Sequence, residues 1–227
     1  MPILPQSLNV IGAGRVGRTL AALWQRSGVF AIGDVVSKTV DHARAAVAFI
    51  GAGRAATDLA GLRPADVWML TTPDDAIAST AAGLATARLF RRGNVAFHCS
   101  GALSSAELAA AAQAGARVAS VHPVKSFVDP QHQLTRFAGT WCAAEGDAQA
   151  LAELEPAFER IGARLVRIDA ASKLLYHAGN VLASNDFVAL IETALRCYAE
   201  AGVAREAARL MIEPLLRESL ENALALG

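Results

Sequence analysis

The sequence predicts an α/β protein: a Rossmann-type, doubly wound, mainly parallel sheet followed by a smaller all-helical C-terminal domain. Three observations lead there. Apolar strand-like runs alternate with helix-periodic segments as far as Asp169, a glycine-rich turn (Gly12-Ala13-Gly14-Arg15-Val16-Gly17) stands at the first strand-to-helix joint, and beyond Ala170 only helical periodicity remains. With 227 residues, 53% hydrophobic and 19% charged, the chain can bury one full core plus a smaller appendage.

Each element has its own signal. Leu8 to Ile11 is a short apolar run that stops at the glycines, and residues 15–28 carry apolar positions at helical spacing closed by Gly28. Strands follow at 30–37, 66–72, 94–100 and 117–123, separated by helices at 40–51, 73–85 and 104–115. Such alternation makes a parallel sheet covered on both faces, joined by right-handed crossovers. A further strand, helix and strand at 140–146, 150–162 and 164–169 extend the sheet. Two long helices, roughly 172–200 and 203–225, complete the chain, joined at Ala201-Gly202-Val203-Ala204. The expected domains are therefore 1–169 and 170–227, without a long linker.

Composition excludes several partners. Lys+Arg and Asp+Glu are balanced at 21 each, which leaves no positive excess for a nucleic-acid backbone and favours a small-molecule ligand. Cys99, Cys142 and Cys197 are far apart and lack Cys-x-x-Cys spacing, so neither a disulfide framework nor a metal site is expected, and a reducing cytoplasm is. The N-terminus has no basic leader before an apolar stretch, and no apolar run approaches the ~20 residues of a membrane span, so no membrane partner is expected.

Between a strand and a helix, the glycine triplet meets the conditions for a dinucleotide site. Gly12 permits the tight turn, Gly14 the close approach of a pyrophosphate, and Gly17 the packing of helix on strand, while the helix start offers N–H groups and partial positive charge. An acidic residue at the end of the second strand would bind the ribose hydroxyl of NAD; here Ser37-Lys38-Thr39 occupies that place, and a cation there suits the 2′-phosphate of NADP. Asp34 competes for the role, but Val35 and Val36 carry the apolar run past it. NADP is favoured, with NAD as the alternative. Lys38 lacks the fork of arginine, so discrimination is expected to be modest, and it also fits a solvated surface lysine.

Ligands of open parallel sheets lie beyond the carboxyl ends of the strands. The residues there are Thr72-Pro73-Asp74, His98-Cys99-Ser100-Gly101 and His122-Pro123-Val124. Pro73 also fits a simple helix start and Ser100-Gly101 a simple turn, but histidines at two successive strand ends converge on one crevice. Cys99 fits a small apolar residue better than a nucleophile. In the next helical stretch Lys173, His177, Asn180 and Ser184 fall within an arc of about 60° at helical pitch. The arc is either the wet side of an amphipathic helix or a set of hydrogen-bonding groups that holds a substrate. Lys173 sits near the positive end of its helix, which would lower its pKa and ease proton donation.

The segments VIGAGRVG, SKT, LTTPDDAI, FHCSGALSSAEL, ASVHPVKSF and KLLYHAGNVLASN together resemble the bacterial Rossmann-type oxidoreductases with a C-terminal helical domain of unknown function. That group lies within the 6-phosphogluconate-dehydrogenase-like superfamily and is related to ketopantoate and pyrroline-carboxylate reductases. The resemblance implies a dinucleotide-binding domain, NADP as cofactor, and a helical domain that forms a homodimer and covers the nicotinamide. It also implies a lysine on the first helix of the second domain, a place similar to that of Lys173, although His177 stands where relatives carry asparagine, with Asn180 after it. The family continues for several dozen residues with Thr-Gly-Pro and Arg-Gly-Asp segments, whereas this chain stops at ENALALG; the expectation is either a shortened helical domain or a dimer that closes differently.

The expected function is hydride transfer between NADP(H) and a small polar carbonyl, hydroxyl or imine substrate. The cofactor would be held by Gly12, Ala13, Gly14, Arg15, Val16, Gly17, Ser37, Lys38, Thr39, Thr72, Pro73 and Ser100. His122 would line the substrate side, Lys173 or His177 would exchange the proton, and Asn180 would orient the substrate. The alternatives are a non-catalytic NADP-binding sensor or interaction module and a deazaflavin-linked NADP reductase.

Overall fold

The computed structural model describes residues 5–226. Among them, one sheet is built from β1 (Gln6–Ile11), β2 (Phe30–Val36), β3 (Arg54–Ala56), β4 (Val67–Leu70), β5 (Val95–His98), β6 (Arg117–Pro123), β7 (Trp141–Gly146) and β8 (Arg164–Arg167), in the spatial order 3-2-1-4-5-6-7-8. Every neighbouring pair is parallel except β6 and β7. The order reverses between β1 and β4, which opens a crevice beyond their carboxyl ends.

Alternation along the strands sends side chains to two cores. On one face Val10, Val35, Met69, Phe97 and Val121 pack with helices α1 (Arg15–Ser27), α2 (Val40–Ile50) and α6 (Ala148–Arg160). Trp24 anchors that core, edge-on to Phe30 and Phe158 at centroid distances of 5.3 and 5.1 Å, while its indole N–H donates to the Ala157 carbonyl at 2.8 Å. On the other face Ile11, Val36, Trp68, Leu70, Ala96 and Val118 pack under α3 (Asp74–Thr86) and α4 (Ala109–Gln113).

Two elements carry no periodic signal. β3 is three residues long, too short to show alternation, and it pairs with Asp34 to Val36. Helix α5 (Pro130–Arg136) is marked only by its cap, in which the Asp129 side chain accepts from the Gln131 N–H ahead of a proline at the first helical position. The stretch 124–140 that contains α5 returns to the sheet at the end where β6 left it, which makes β7 antiparallel. The α6 crossover then restores a parallel pair with β8.

Contacts divide the chain into two compact units, Met1–Tyr176 and His177–Gly227. A boundary placed at the end of the last strand falls at 169/170; the division falls later, inside α7 (Lys173–Val181), because the first turn of that helix packs with the sheet. The second unit contains the rest of α7, a π-helical turn (Leu182–Asp186), α8 (Phe187–Glu200) and α9 (Arg205–Leu226). Its own core is small: Leu195, Ala208 and Ile212, flanked by Ile191, Tyr198, Val203 and Leu216. No helix among the described residues is long and apolar enough to cross a membrane.

Candidate functional site

Two of the three glycines of the turn are closely hemmed in and the third is open. Gly12 has φ +96°, and a Cβ there would stand 2.6 Å from the backbone of Thr71 and Thr72. Gly17 lies against the Thr71 hydroxyl and the Gly12 carbonyl, which a Cβ would meet at 2.3 and 2.6 Å. Gly14 is different: a Cβ would have nothing within 4 Å. The N–H groups of Gly12 and Ala13 both donate to the Val36 carbonyl at 3.0 Å, which ties β1 to the end of β2. The first helical bond of α1 runs from the Arg18 N–H to the Gly14 carbonyl at 3.1 Å, so the N–H groups of Arg15, Val16 and Gly17 have no helical acceptor. No side chain caps this helix. An open glycine cradle before an uncapped helix start fits a pyrophosphate.

Across the crevice, the Thr71 hydroxyl donates to the Gly12 carbonyl at 2.6 Å, a contact that no spacing in the sequence signals. The Thr72 hydroxyl is buried and has no hydrogen-bond partner, the kind of group that a ligand satisfies. Pro73 is the N-cap of α3. At the end of β2, Ser37 donates its N–H to the Ala56 carbonyl, Lys38 is exposed, and Thr39 caps α2 by accepting from the His42 N–H at 3.3 Å. Asp34 is buried within β2. Burial alone would raise its pKa, but hydrogen bonds from Arg54 and Arg63 hold the carboxyl below the usual range. The competing ribose ligand is therefore already committed to two guanidinium groups.

The strand register assembles a polar row that sequence reasoning only partly anticipates. His98 on β5 pairs with Ser120 on β6, which in turn pairs with Glu145 on β7, so all three point to one face. The two strand-end histidines do not converge on the crevice, because His98 is wholly buried. His98 Nδ1 accepts from the Ser100 N–H at 3.1 Å, which leaves Nε2 to donate to the Ser104 carbonyl at 3.0 Å. Burial pulls its pKa down to about 4, so the ring is neutral. His122, two residues beyond Ser120 on the same face, is only partly buried. The Ser100 hydroxyl donates to Asp74 at 2.8 Å and accepts from the N–H groups of Ala102 and Leu103, which shapes the loop after β5. Cys99 has its thiol pushed far up by burial, which leaves it inert as a nucleophile.

Lys173 departs most from expectation. It is 1% exposed and lies among the sheet residues instead of on an accessible arc. Its ammonium donates to the Ser120 hydroxyl and stands 3.5 Å from Glu145 Oε1. Glu145 also accepts from the Ser105 N–H and hydroxyl, each at 2.7 Å. The amine's pKa is lowered, as expected; burial is the largest cause, partly offset by Glu145. His177 and Asn180, in the second unit, are partly buried, and Ser184 is exposed within the π-helical turn. Tyr176, not singled out in the sequence, places its hydroxyl 2.9 Å from His122 Nδ1 with the rings edge to face. Glu145 did leave a signal, an acidic residue inside the apolar run Trp141 to Gly146.

Several solved structures resemble the whole chain. Protein TM1727 from Thermotoga maritima is 27% identical, with a TM-score of 0.73 over 95% of this chain and 77% of its own. Protein BF3122 from Bacteroides fragilis, provisionally assigned as an NADP oxidoreductase, is 20% identical, with a TM-score of 0.77 over 96% and 80%. The imine reductase of Streptomyces aurantiacus is 20% identical, with a TM-score of 0.71 over 97% and 75%. The two at 20% identity speak to the fold. No protein of curated function matches the sequence. Residues 140–227 match a domain of unknown function, DUF2520. With residues 4–123 matching the Rossmann-like domain, the chain belongs to the Rossmann-like family, here followed by a DUF2520 domain.

Proposed function

We propose that the chain is an NADP-dependent oxidoreductase that moves a hydride between the cofactor and a small polar carbonyl, hydroxyl or imine. The observation that carries this reading is the open cradle at Gly14, before an uncapped helix and beside the unpartnered Thr72 hydroxyl. Gly12 to Gly17 would hold the pyrophosphate, and Ser37, Lys38 and Thr39 the 2′-phosphate. Arg15, exposed at the same mouth, would add charge there. Thr72 and Pro73 would line the nicotinamide half, while Ser100, its hydroxyl turned to Asp74, would hold the loop that borders it. When bound, the nicotinamide supplies or accepts the hydride; the chain's residues position the substrate and exclude water. Two of the similar structures are described as an imine reductase and an NADP oxidoreductase, which supports the reaction class.

The second unit would form a homodimer. Leu210 and Leu224 are 74% and 79% exposed in the single chain, and Leu190, Leu215 and Leu220 are exposed as well, more apolar surface than two helices leave in water. Sedimentation at micromolar concentration tests this; a monomer would overturn it.

The test of function is titration with NADPH and NADH, followed by nicotinamide absorbance in the presence of imines, keto acids and aldehydes. Binding with turnover supports the reading. Binding without turnover of any probe leaves the sensor alternative, and uptake of neither coenzyme overturns both. Lys38→Ala should narrow the preference for NADPH over NADH.

A further inference from the structure

We propose that Tyr176, paired with His122, is the group that exchanges a proton with the substrate; the inference rests on the oxidoreductase reading. The pyrophosphate seat at α1 and the adenosine side at the end of β2 leave the nicotinamide half beyond the ends of β4, β5 and β6. His122 is the next-to-last residue of β6, on the same face as Ser120 and one step nearer the carboxyl end. Tyr176 lies one turn after Lys173 on α7, and its hydroxyl is 2.9 Å from His122 Nδ1. Both residues are partly buried, so each keeps some surface open to solvent.

Lys173 cannot serve from where it lies. Its ammonium is enclosed with Ser120 and Glu145, and reaching a ligand would break a buried ion pair. The lysine is better placed to pin the first turn of α7 to the sheet, which fixes the Tyr176 hydroxyl against His122.

In the reductive direction the carbon of a C=N or C=O bond gains the hydride from the reduced nicotinamide, which leaves oxidised. The nitrogen or oxygen takes the proton of the Tyr176 hydroxyl. The phenolate recovers a proton from protonated His122 through Nδ1, and the imidazole recovers one from water. Oxidation of an amine or alcohol runs the same transfers backward.

The experiment uses the full chain and the variants Tyr176→Phe and His122→Asn, with methylpyrroline and pyruvate as probes and circular dichroism as the check on folding. Tyr176→Phe should bind NADPH within about threefold of the wild type yet lose ~100-fold or more in turnover, the usual worth of a general acid. His122→Asn should lose turnover with the same retention of binding. In the ligand-free protein, the imidazole nitrogen resonances of His122 should move in Tyr176→Phe, because Nδ1 loses its partner. Turnover by Tyr176→Phe within about threefold of a turning-over wild type would sink this inference alone, as would unchanged His122 resonances. A wild type that binds NADPH and reduces neither probe nor any member of the wider panel would take the oxidoreductase reading down with it.

Discussion

Replacing Gly14 and Gly17 separately by alanine distinguishes a ligand cradle from a packing contact. At Gly14 the backbone is ordinary extended chain (φ −72°, ψ −165°), and an added methyl meets nothing within 4 Å. The poorer N-cap and the stiffer unfolded chain act in opposite directions, so Gly14→Ala should change stability by no more than about 1 kcal/mol. The methyl would instead project where the phosphates approach the free N–H groups of the first turn. Loss of one charge-assisted hydrogen bond, about 1.5–3 kcal/mol, weakens NADPH binding roughly 10- to 150-fold. At Gly17 the methyl would fall 2.3 Å from the Thr71 hydroxyl and displace its hydrogen bond to the Gly12 carbonyl. Overpacking of about 1–3 kcal/mol plus a lost bond of about 1 gives a destabilisation of roughly 2–4 kcal/mol. Urea denaturation and calorimetric titration with NADPH read both quantities. Undiminished NADPH affinity in Gly14→Ala, or equal destabilisation by the two changes, would refute the reasoning.

Three further outcomes are expected. Lys173→Met leaves Glu145 buried with only Ser105 as partner, and breaking such a pair costs about 3–5 kcal/mol, so a loss below ~1 kcal/mol in chemical denaturation would contradict the enclosed ion pair. His98 has a folded pKa of about 4, below its usual 6.5, so the unfolded chain binds the extra proton between those values and stability falls as pH drops from 6.5 toward 4. The loss is on the order of 3 kcal/mol, and a His98→Gln variant with the same acid sensitivity as the wild type would remove the histidine from the account. Asp34, with its folded pKa lowered, stabilises above its usual 3.8, and that contribution is lost as pH falls through the folded value. Asp34→Asn should cost about 2 kcal/mol at neutral pH and leave NADPH affinity unchanged, because the carboxylate faces Arg54 and Arg63; weakened coenzyme binding in a folded variant would return it to the ribose site.

The layered fold, the glycine turn and a helical C-terminal region are legible in the order of the residues, because they depend on local periodicity and on backbone demands that only glycine meets. The tight turn at Gly12 and the close packing of helix on strand at Gly17 are legible from spacing, whereas the Thr71 hydroxyl that fills the space beside Gly17 is not. The short strand Arg54–Ala56 and the reversal of β7 were not legible, since three residues cannot show alternation and strand direction depends on where a connection returns. Tertiary structure alone decided the fate of the polar residues. His98, Ser120 and Glu145 come from three segments and meet only through strand register, and that row draws in Lys173, which at helical pitch looks like one member of an open face. A helical wheel shows which residues share a side of a helix but not what covers that side. Lys173 is therefore enclosed, while Tyr176, three residues later, meets His122.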